Sequence, residues 1–499
     1  MDYVRVPLST FDMNNVDSIG LWYGFVLDTN IFDAAPLNAA ASRLVKKWRL
    51  LAGRIEPNQL EVRSHPASQL LALTSCPRSQ GPTEAPWSIS VPTGSLSTEF
   101  KTHSFNITHL PTTPIDTPTP VLGPSDCALL PRPSLEYFSK AGTPIVPKDF
   151  VKVDPPPFLS IQVTVLSNAT CVGVTLPHLV FDAFGAGMVV QALDAELNGR
   201  DWVVPAIQIS NPITEAYERH FHEGHAPEGP GTAMERVRKT FISISVLRIL
   251  PVIWRLFTDT TFRGATSQAL YIGPEVVKQI SERAKADAAA VSAKEGGKTE
   301  YISTYDALLA FFLKASYLNE PTRTNALQLT MNVAFRQLLS SALPLSLSGN
   351  ASTLEQYPHN AYIQAVTPFI PIHSLSSHSV GSLALILRRT VLEARTIPSF
   401  VTMTEFYSDV KGGLPIKATG ADLYSTSGHV DSKVNEINFG VPILSCWFHL
   451  PPFLPPGAFG VNKHPNGGFV FLGCQRRCRW EAIQSEIERM QQGLPMKVL

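Results

Sequence analysis

With 499 residues, the chain has room for two or three domains at about 100–200 residues each. Hydrophobic residues make up 44% and charged residues 16%, an ordinary globular balance with apolar material for more than one sizeable core. Lys and Arg total 41 and Asp and Glu total 41, so no net field favours nucleic acid or an anionic membrane; the expected ligand is small and bound in a cleft.

The cysteines Cys76, Cys127, Cys171, Cys446, Cys474 and Cys478 form no paired CxxC knuckles, so no zinc site is expected. Free thiols in a reducing cytosol are the default. The opening stretch MDYVRVPLSTFDMNN carries early acidic residues and no apolar run. That pattern predicts no signal peptide and a cytoplasmic location. Residues 241–257, FISISVLRILPVIWRLF, fall short of the roughly 20 residues that a membrane span needs. Arg248, Pro251 and Arg255 interrupt them, and the expectation is a buried or surface-lying helix.

In chain order, residues 36–52 show apolar spacing near a helical period and stop at Gly53. Prolines crowd residues 111–158, which predicts long irregular chain. Residues 158–166 and 171–176 read as a strand pair joined by a turn, and a helix follows from Ala183 to about Gly199. Residues 206–240 are polar and broken and read as a connection between halves. Within them His220, His222 and His225 form HxHxxH in a Gly/Pro-rich context, and no metal is expected there. Helices are expected over 274–294 and 301–318, the second capped by Ser303 or Thr304 with Asp306 in its first turn. Strands are expected over 327–335, 359–369 and 468–473, then a closing helix from Trp480. The division is 1–205, a crossover at 206–265, and 266–499, with residues 422–448 expected to pack back on the first half.

The residues that carry chemistry are Pro177–His178–Leu179–Val180–Phe181–Asp182–Ala183–Phe184–Gly185. His178 ends a strand and Asp182 begins a helix. A histidine on such a turn can aim its ring into a cleft while its backbone stays rigid. An imidazole titrating at about 6.5 can take a proton from a hydroxyl at neutral pH. Alone, the pair is also what a solvated histidine and a helix-dipole aspartate would look like.

The string HLVFDAFG resembles the HxxxD motif of the BAHD acyltransferases. Other segments are similar to that family in order. Leu8–Ser9 with Asp12 resembles LSxxD, Leu51–Ala52–Gly53–Arg54 matches LAGR, and Ser303–Thr304–Tyr305–Asp306–Ala307–Leu308 resembles STxDxL. Asn360–Ala361 resembles the GNA strand, and Asn438–Phe439–Gly440–Val441–Pro442 stands where the family has DFGWGxP. The resemblance implies an α/β fold of two similar-sized mixed-sheet domains, chloramphenicol-acetyltransferase-like, with an active-site tunnel between them. It implies acyl-CoA, above all acetyl-CoA, as co-substrate rather than a resident cofactor. His178 would be the base, with Asp182 turned away and paired to an arginine, here Arg336. Gly185, Asn438, Phe439 and Gly440 would be structural at the site. Ser303, Thr304 and the 327–338 stretch would meet coenzyme A.

Three departures stand out. Where the family often has an arginine two residues before Arg336, this chain has Ala334. The DFGWG aspartate is Asn438 and its tryptophan is Val441, so Ser427 or backbone amides would have to hold the oxyanion. Such motifs look more like the fungal trichothecene acetyltransferases that acylate terpenoid or polyketide products. The expected activity is O-acylation of a small hydrophobic secondary metabolite by a monomer with no nucleic-acid partner. Amide formation, by an N-acyltransferase or a relative of peptide-synthetase condensation domains, is the alternative, as is a non-catalytic binding protein.

Overall fold

The computed structural model describes residues 2–13, 20–57, 84–96, 100–115, 123–144, 147–150, 155–218, 232–240, 253–254, 257–296, 299–320, 324–342, 354–409, 422–428, 432–448 and 455–498. His220, His222 and His225, and most of 241–257, lie outside them.

Two mixed sheets organise the chain. The first has the order β14-β2-β8-β7-β5, built from β2 (Leu21–Leu27), β5 (Ser104–Leu110), β7 (Ser160–Leu166), β8 (Thr170–Leu176) and β14 (Ile443–Phe448). Strands β2 and β8 are buried along their whole length, so both read as apolar runs without alternation. Helices α1 (Ala35–Lys47) and α2 (Ala183–Leu197) pack on this sheet through Leu37, Leu44, Val45, Val189 and Leu193. A small sheet of order β1-β4-β3 adjoins, with β1 at Tyr3–Ser9, β3 at Arg54–Pro57 and β4 at Glu84–Pro92.

The second sheet runs β11-β10-β13-β15-β16-β9-β6, with β12 (Ile370–Pro371) beside β10. Its strands are β6 (Cys127–Pro131), β9 (Thr266–Ile272), β10 (Ala326–Ala334), β11 (Tyr362–Val366), β13 (Asp422–Gly428), β15 (Ala458–Lys463) and β16 (Phe469–Gln475). Helices α3 (Pro274–Lys294), α4 (Thr304–Ser316), α5 (Val380–Ala394) and α6 (Arg477–Gln491) share one core with it. In α3, Val276, Ile280, Ala284 and Ala288 recur at a helical period and form the buried stripe. The two sheets meet through a further cluster in which Val26, Cys171 and Trp447 face Leu130, Tyr271 and Leu472.

The halves exchange strands. Strand β14, from the C-terminal half, pairs antiparallel with β2 in the first sheet. Strand β6, from the N-terminal half, pairs with β9 and forms the edge of the second sheet. Of residues 422–448, β13 stays in the second sheet and the later part crosses over. The expectation of irregular chain over 111–158 therefore fails at β6. Its apolar run, Cys127–Leu130, is only four residues between proline-rich flanks, and the backbone partner that turns it into a strand lies far along the chain.

Candidate active site

Strand β8 ends at Leu176, and Pro177 to Phe181 make a tight turn before α2. The amides of Val180 and Phe181 donate to the Pro177 carbonyl at 3.1 Å each. Asp182 is the N-cap of α2, and its Oδ1 accepts from the Gly185 amide at 3.0 Å. A methyl group on Gly185 would collide with the Pro358 carbonyl oxygen, so only glycine lets this turn of helix lie against residues 357–361.

Those residues clamp the HxxxD turn. One guanidinium nitrogen of Arg336 donates to both Asp182 oxygens at 2.8 Å and to the His359 carbonyl at 2.6 Å. The Arg336 Nε donates to the Tyr357 carbonyl at 2.8 Å, and the ring of Phe184 lies 4.6 Å from the guanidinium carbon. The Ala361 amide gives Asp182 a further bond at 3.2 Å. The Asp182 carboxylate is therefore fully occupied by structure, and both partners are buried.

A second brace reaches His178 itself. Asn360 Nδ2 donates to the His178 carbonyl at 2.9 Å and to Asp12 Oδ1 at 2.9 Å, while the Asn360 amide donates to the same oxygen at 3.0 Å. Asp12 Oδ2 in turn accepts from the Ser9 amide and hydroxyl at 2.7 and 2.8 Å. The LSxxD and Asn360–Ala361 segments thus converge on the backbone of the candidate base. Beside them His359 hydrogen-bonds the Val180 carbonyl through Nδ1 at 2.9 Å and stacks on Phe181. No motif in the sequence singled out His359; its position next to Asn360 was the only available signal.

The His178 ring is half-buried. Its Nδ1 is sealed from solvent with no hydrogen-bond partner, and burial pushes its pKa below the usual histidine value despite the opposing pull of its own backbone and of Asp182. The ring borders a cavity of about 550 Å³ walled on one side by the His178–Phe184 turn and helix start and on the other by residues of the second unit, including Asn332, Arg395, Ser427 and Gly428.

The remaining expected residues sit elsewhere. The Ser303 hydroxyl donates to Asp306 Oδ2 at 2.7 Å and accepts from the Asp306 amide at 3.1 Å, a complete capping box for α4. The Thr304 hydroxyl lies 3.3 Å from that of Ser281. Neither residue borders the His178 cavity. The next residue, Tyr305, bonds Thr426 at 3.3 Å and packs against Gly428 at the cavity edge. Asn438, Phe439 and Gly440 do not border the cavity either. The Asn438 amide donates to Asp194 at 2.8 Å, Phe439 packs on Phe25, and Gly440 turns with φ +79°. This segment braces the end of α2. Among the described residues, no cluster of metal-ligand side chains occurs, and no helix is long and apolar enough to cross a membrane.

Fold and site together define a two-unit α/β architecture with a histidine facing a cavity lined by residues of both units. The fold is that of structures of F. graminearum TRI101 complexed with coenzyme A and T-2 mycotoxin, at 13% identity, 98% and 99% coverage of the two chains and a TM-score of 0.64. Vinorine synthase shares it at 12% identity, 98% and 93% coverage and a TM-score of 0.55. Sequence relatives are the acetyltransferase adrJ of Penicillium roqueforti, 24% identical over 84% of this chain and 79% of that protein, and adrJ of Penicillium rubens, 26% identical over 58% and 54%. The O-acyltransferase pboC of Aspergillus ustus is 26% identical over 48% of this chain and 45% of its own length. The matched region thus spans only about half of two of these relatives. No protein-family model matches the sequence. The fold neighbours agree with the fold expected from the motifs, and the sequence relatives carry the names of acetyl- and O-acyltransferases.

Proposed function

We propose that the protein is an acyl-CoA-dependent O-acyltransferase that moves an acyl group, acetyl in the first instance, to a hydroxyl of a small hydrophobic secondary metabolite. The supporting observation is His178: half-buried, held below the usual histidine range, with Nδ1 sealed and its ring on a cavity lined by residues of both units. An imidazole neutral at pH 7 with only Nε2 left for substrate is suited to general-base work.

In this reading His178 Nε2 removes the acceptor hydroxyl proton as the oxygen attacks the thioester carbonyl. The tetrahedral oxyanion collapses, the carbon–sulfur bond breaks, and the imidazolium returns its proton to the departing thiolate. Ser427, on the cavity wall, is the proposed oxyanion donor, because Val441 replaces the family's tryptophan. Acyl-CoA would enter on the side where Tyr305 meets Gly428. The protein would act in the cytoplasm as a monomer. Mixing it with acetyl-CoA and a panel of hydroxylated terpenoids, and following free thiol, tests the reading. Acceptor-dependent thiol release is the expected result; release with amines only would replace it by amide formation, and none with any acceptor would overturn it.

A further inference from the structure

The sheet that walls the cavity carries a row of polar side chains, of which the proposed reaction uses only Ser427. Strand β10 alternates. Leu329, Met331 and Val333 turn into the core, so Thr330, Asn332 and Ala334 turn the other way. Asn332 and Ala334 are exposed although β10 is flanked on both sides by β11 and β13, because they border the cavity. Asn332 stands directly opposite Gln364 of β11, and Thr330 opposite Ser425 of β13; residues in register share a face. Ser427, two positions beyond Ser425, continues that face on the far side of Asn332.

The result is a row, Gln364–Asn332–Ser427, across three adjacent strands. At about 4.8 Å between strands its ends lie roughly 10 Å apart. Among the described residues, no hydrogen bond occupies the Asn332 side-chain amide. Gln364 Oε1 and Thr330 Oγ1 are buried with no partner. Buried polar atoms ordinarily find one, and here three neighbouring side chains on one sheet face leave hydrogen-bonding capacity open; Asn332 borders the cavity, and Gln364 and Thr330 stand beside it in the sheet. The row itself offers only amides and hydroxyls, which suit a neutral hydroxyl or carbonyl, although Glu355 and Arg395 border the same cavity.

We propose that Asn332, supported by Gln364, determines acceptor specificity by binding a second oxygen, hydroxyl or carbonyl, on a rigid ring-system acceptor. Ser427 serves the reacting centre in the function proposed above, on which this inference rests. The second oxygen then lies one to two strand spacings, about 5–10 Å, from the hydroxyl that is acylated. The preferred substrate class is a polyoxygenated fused-ring metabolite. A mono-alcohol of the same skeleton would leave the amides unpaired and be disfavoured.

The probes are androstanediol and androstanol, ring systems that differ by one hydroxyl. Initial rates of thiol release from acetyl-CoA give KM and kcat for each, and ligand-induced shifts in melting temperature report binding without chemistry. The wild type should favour the diol by about tenfold or more in kcat/KM. Asn332→Ala should bring the two to within about twofold by raising the diol KM, with kcat moving little. If Asn332→Ala unfolds, Gln364→Leu carries the same expectation of a reduced preference. Equal treatment of diol and mono-alcohol by the wild type, in both rate and thermal shift, overturns the proposal. So does a rise in the acetyl-CoA KM in place of the diol KM, which would assign Asn332 to the pantetheine arm. A diol-specific thermal shift without thiol release from any acceptor would sink the transferase reading and leave this one standing.

Discussion

Asp182 and Arg336 meet at 2.8 Å where α2 of the first unit begins and β10 of the second unit ends, and both side chains are buried. The pair ties the HxxxD turn to the opposite wall of the cavity, and its other bonds, to Gly185, Ala361, Tyr357 and His359, leave the carboxylate none for substrate. Asp182→Ala would strand a buried guanidinium, a change that typically costs about 3–5 kcal/mol. The expected outcome is a clearly lower melting temperature together with lost activity. Activity lost at an unchanged melting temperature would mean that Asp182 acts on the reacting atoms.

Replacement of His178, the proposed base, separates chemistry from fold. His178→Ala removes a half-buried ring whose Nδ1 has no partner, so few native bonds are lost. The rate should fall by about 10²–10⁴, with far-UV circular dichroism unchanged. A variant that kept more than about a tenth of the wild-type rate would remove His178 from the mechanism.

Asn360 acts at one remove, through the His178 carbonyl and Asp12. Asn360→Ala should loosen the turn and lower kcat by about 10–100-fold, as small misplacements of reacting groups do. A positioning role predicts little change in KM and an altered acidic limb of the pH–rate profile, because Asn360 also contributes to the His178 titration. A fall in melting temperature with kcat intact would reduce Asn360 to packing.

Much of the site could be read from the chain because its parts are local. Asp182 caps the helix that follows it, and Ser303 and Asp306 cap theirs, so the turn chemistry is written in consecutive residues. The helix expected over 274–294 runs Pro274–Lys294, since its apolar stripe is strictly periodic. What stayed hidden depends on pairing over long separations. Strand β6 exists only because β9 accepts it, and β14 crosses into the first sheet beside β2, where its residues do not alternate. The Asp12–Asn360 bond joins residues 348 apart, and the motifs around each gave no hint that they touch. Ser303 stays undecided for the opposite reason: a hydroxyl at a helix start looks the same in sequence whether it meets a phosphate or only caps its own helix, and here it does cap the helix.

Acid should weaken both rate and fold. Burial lowers the pKa of His178, and also of His103, His359, His378 and His464. A histidine with a folded pKa below its unfolded value takes up its proton first in the unfolded chain. Its contribution is intact above about 6.5 and is lost as pH falls below that. Asp12 and Asp306, raised mainly by burial, work in the other sense, since their folded forms hold protons longer. The five histidines set the expected direction near neutrality: the melting temperature falls between about pH 7 and pH 5.5. The kcat/KM should be flat above neutrality, with its acidic limb below the ordinary imidazole value. A limb above pH 7 would contradict a neutral, buried base.

The donor side is tested at Ser303. Its hydroxyl and the Asp306 carboxylate satisfy the first turn of α4, and the following Tyr305 is held to Thr426 and against Gly428 at the cavity edge. Ser303 does not line the cavity, and the expected role is to position its rim through the helix. Loss of such a cap costs about 0.5–2 kcal/mol, so Ser303→Ala should lower the melting temperature measurably. Because Tyr305 lies on the side proposed for acyl-CoA, the KM for acetyl-CoA should rise more than that for the acceptor. Ser303→Thr keeps a hydroxyl that can donate to Asp306 and accept from its amide, and so supplies another good cap. It should restore the melting temperature and, if the role is positional, the acetyl-CoA KM with it. Restored stability with a still higher acetyl-CoA KM would mean that the added methyl group obstructs the donor, and that Ser303 contacts coenzyme A directly.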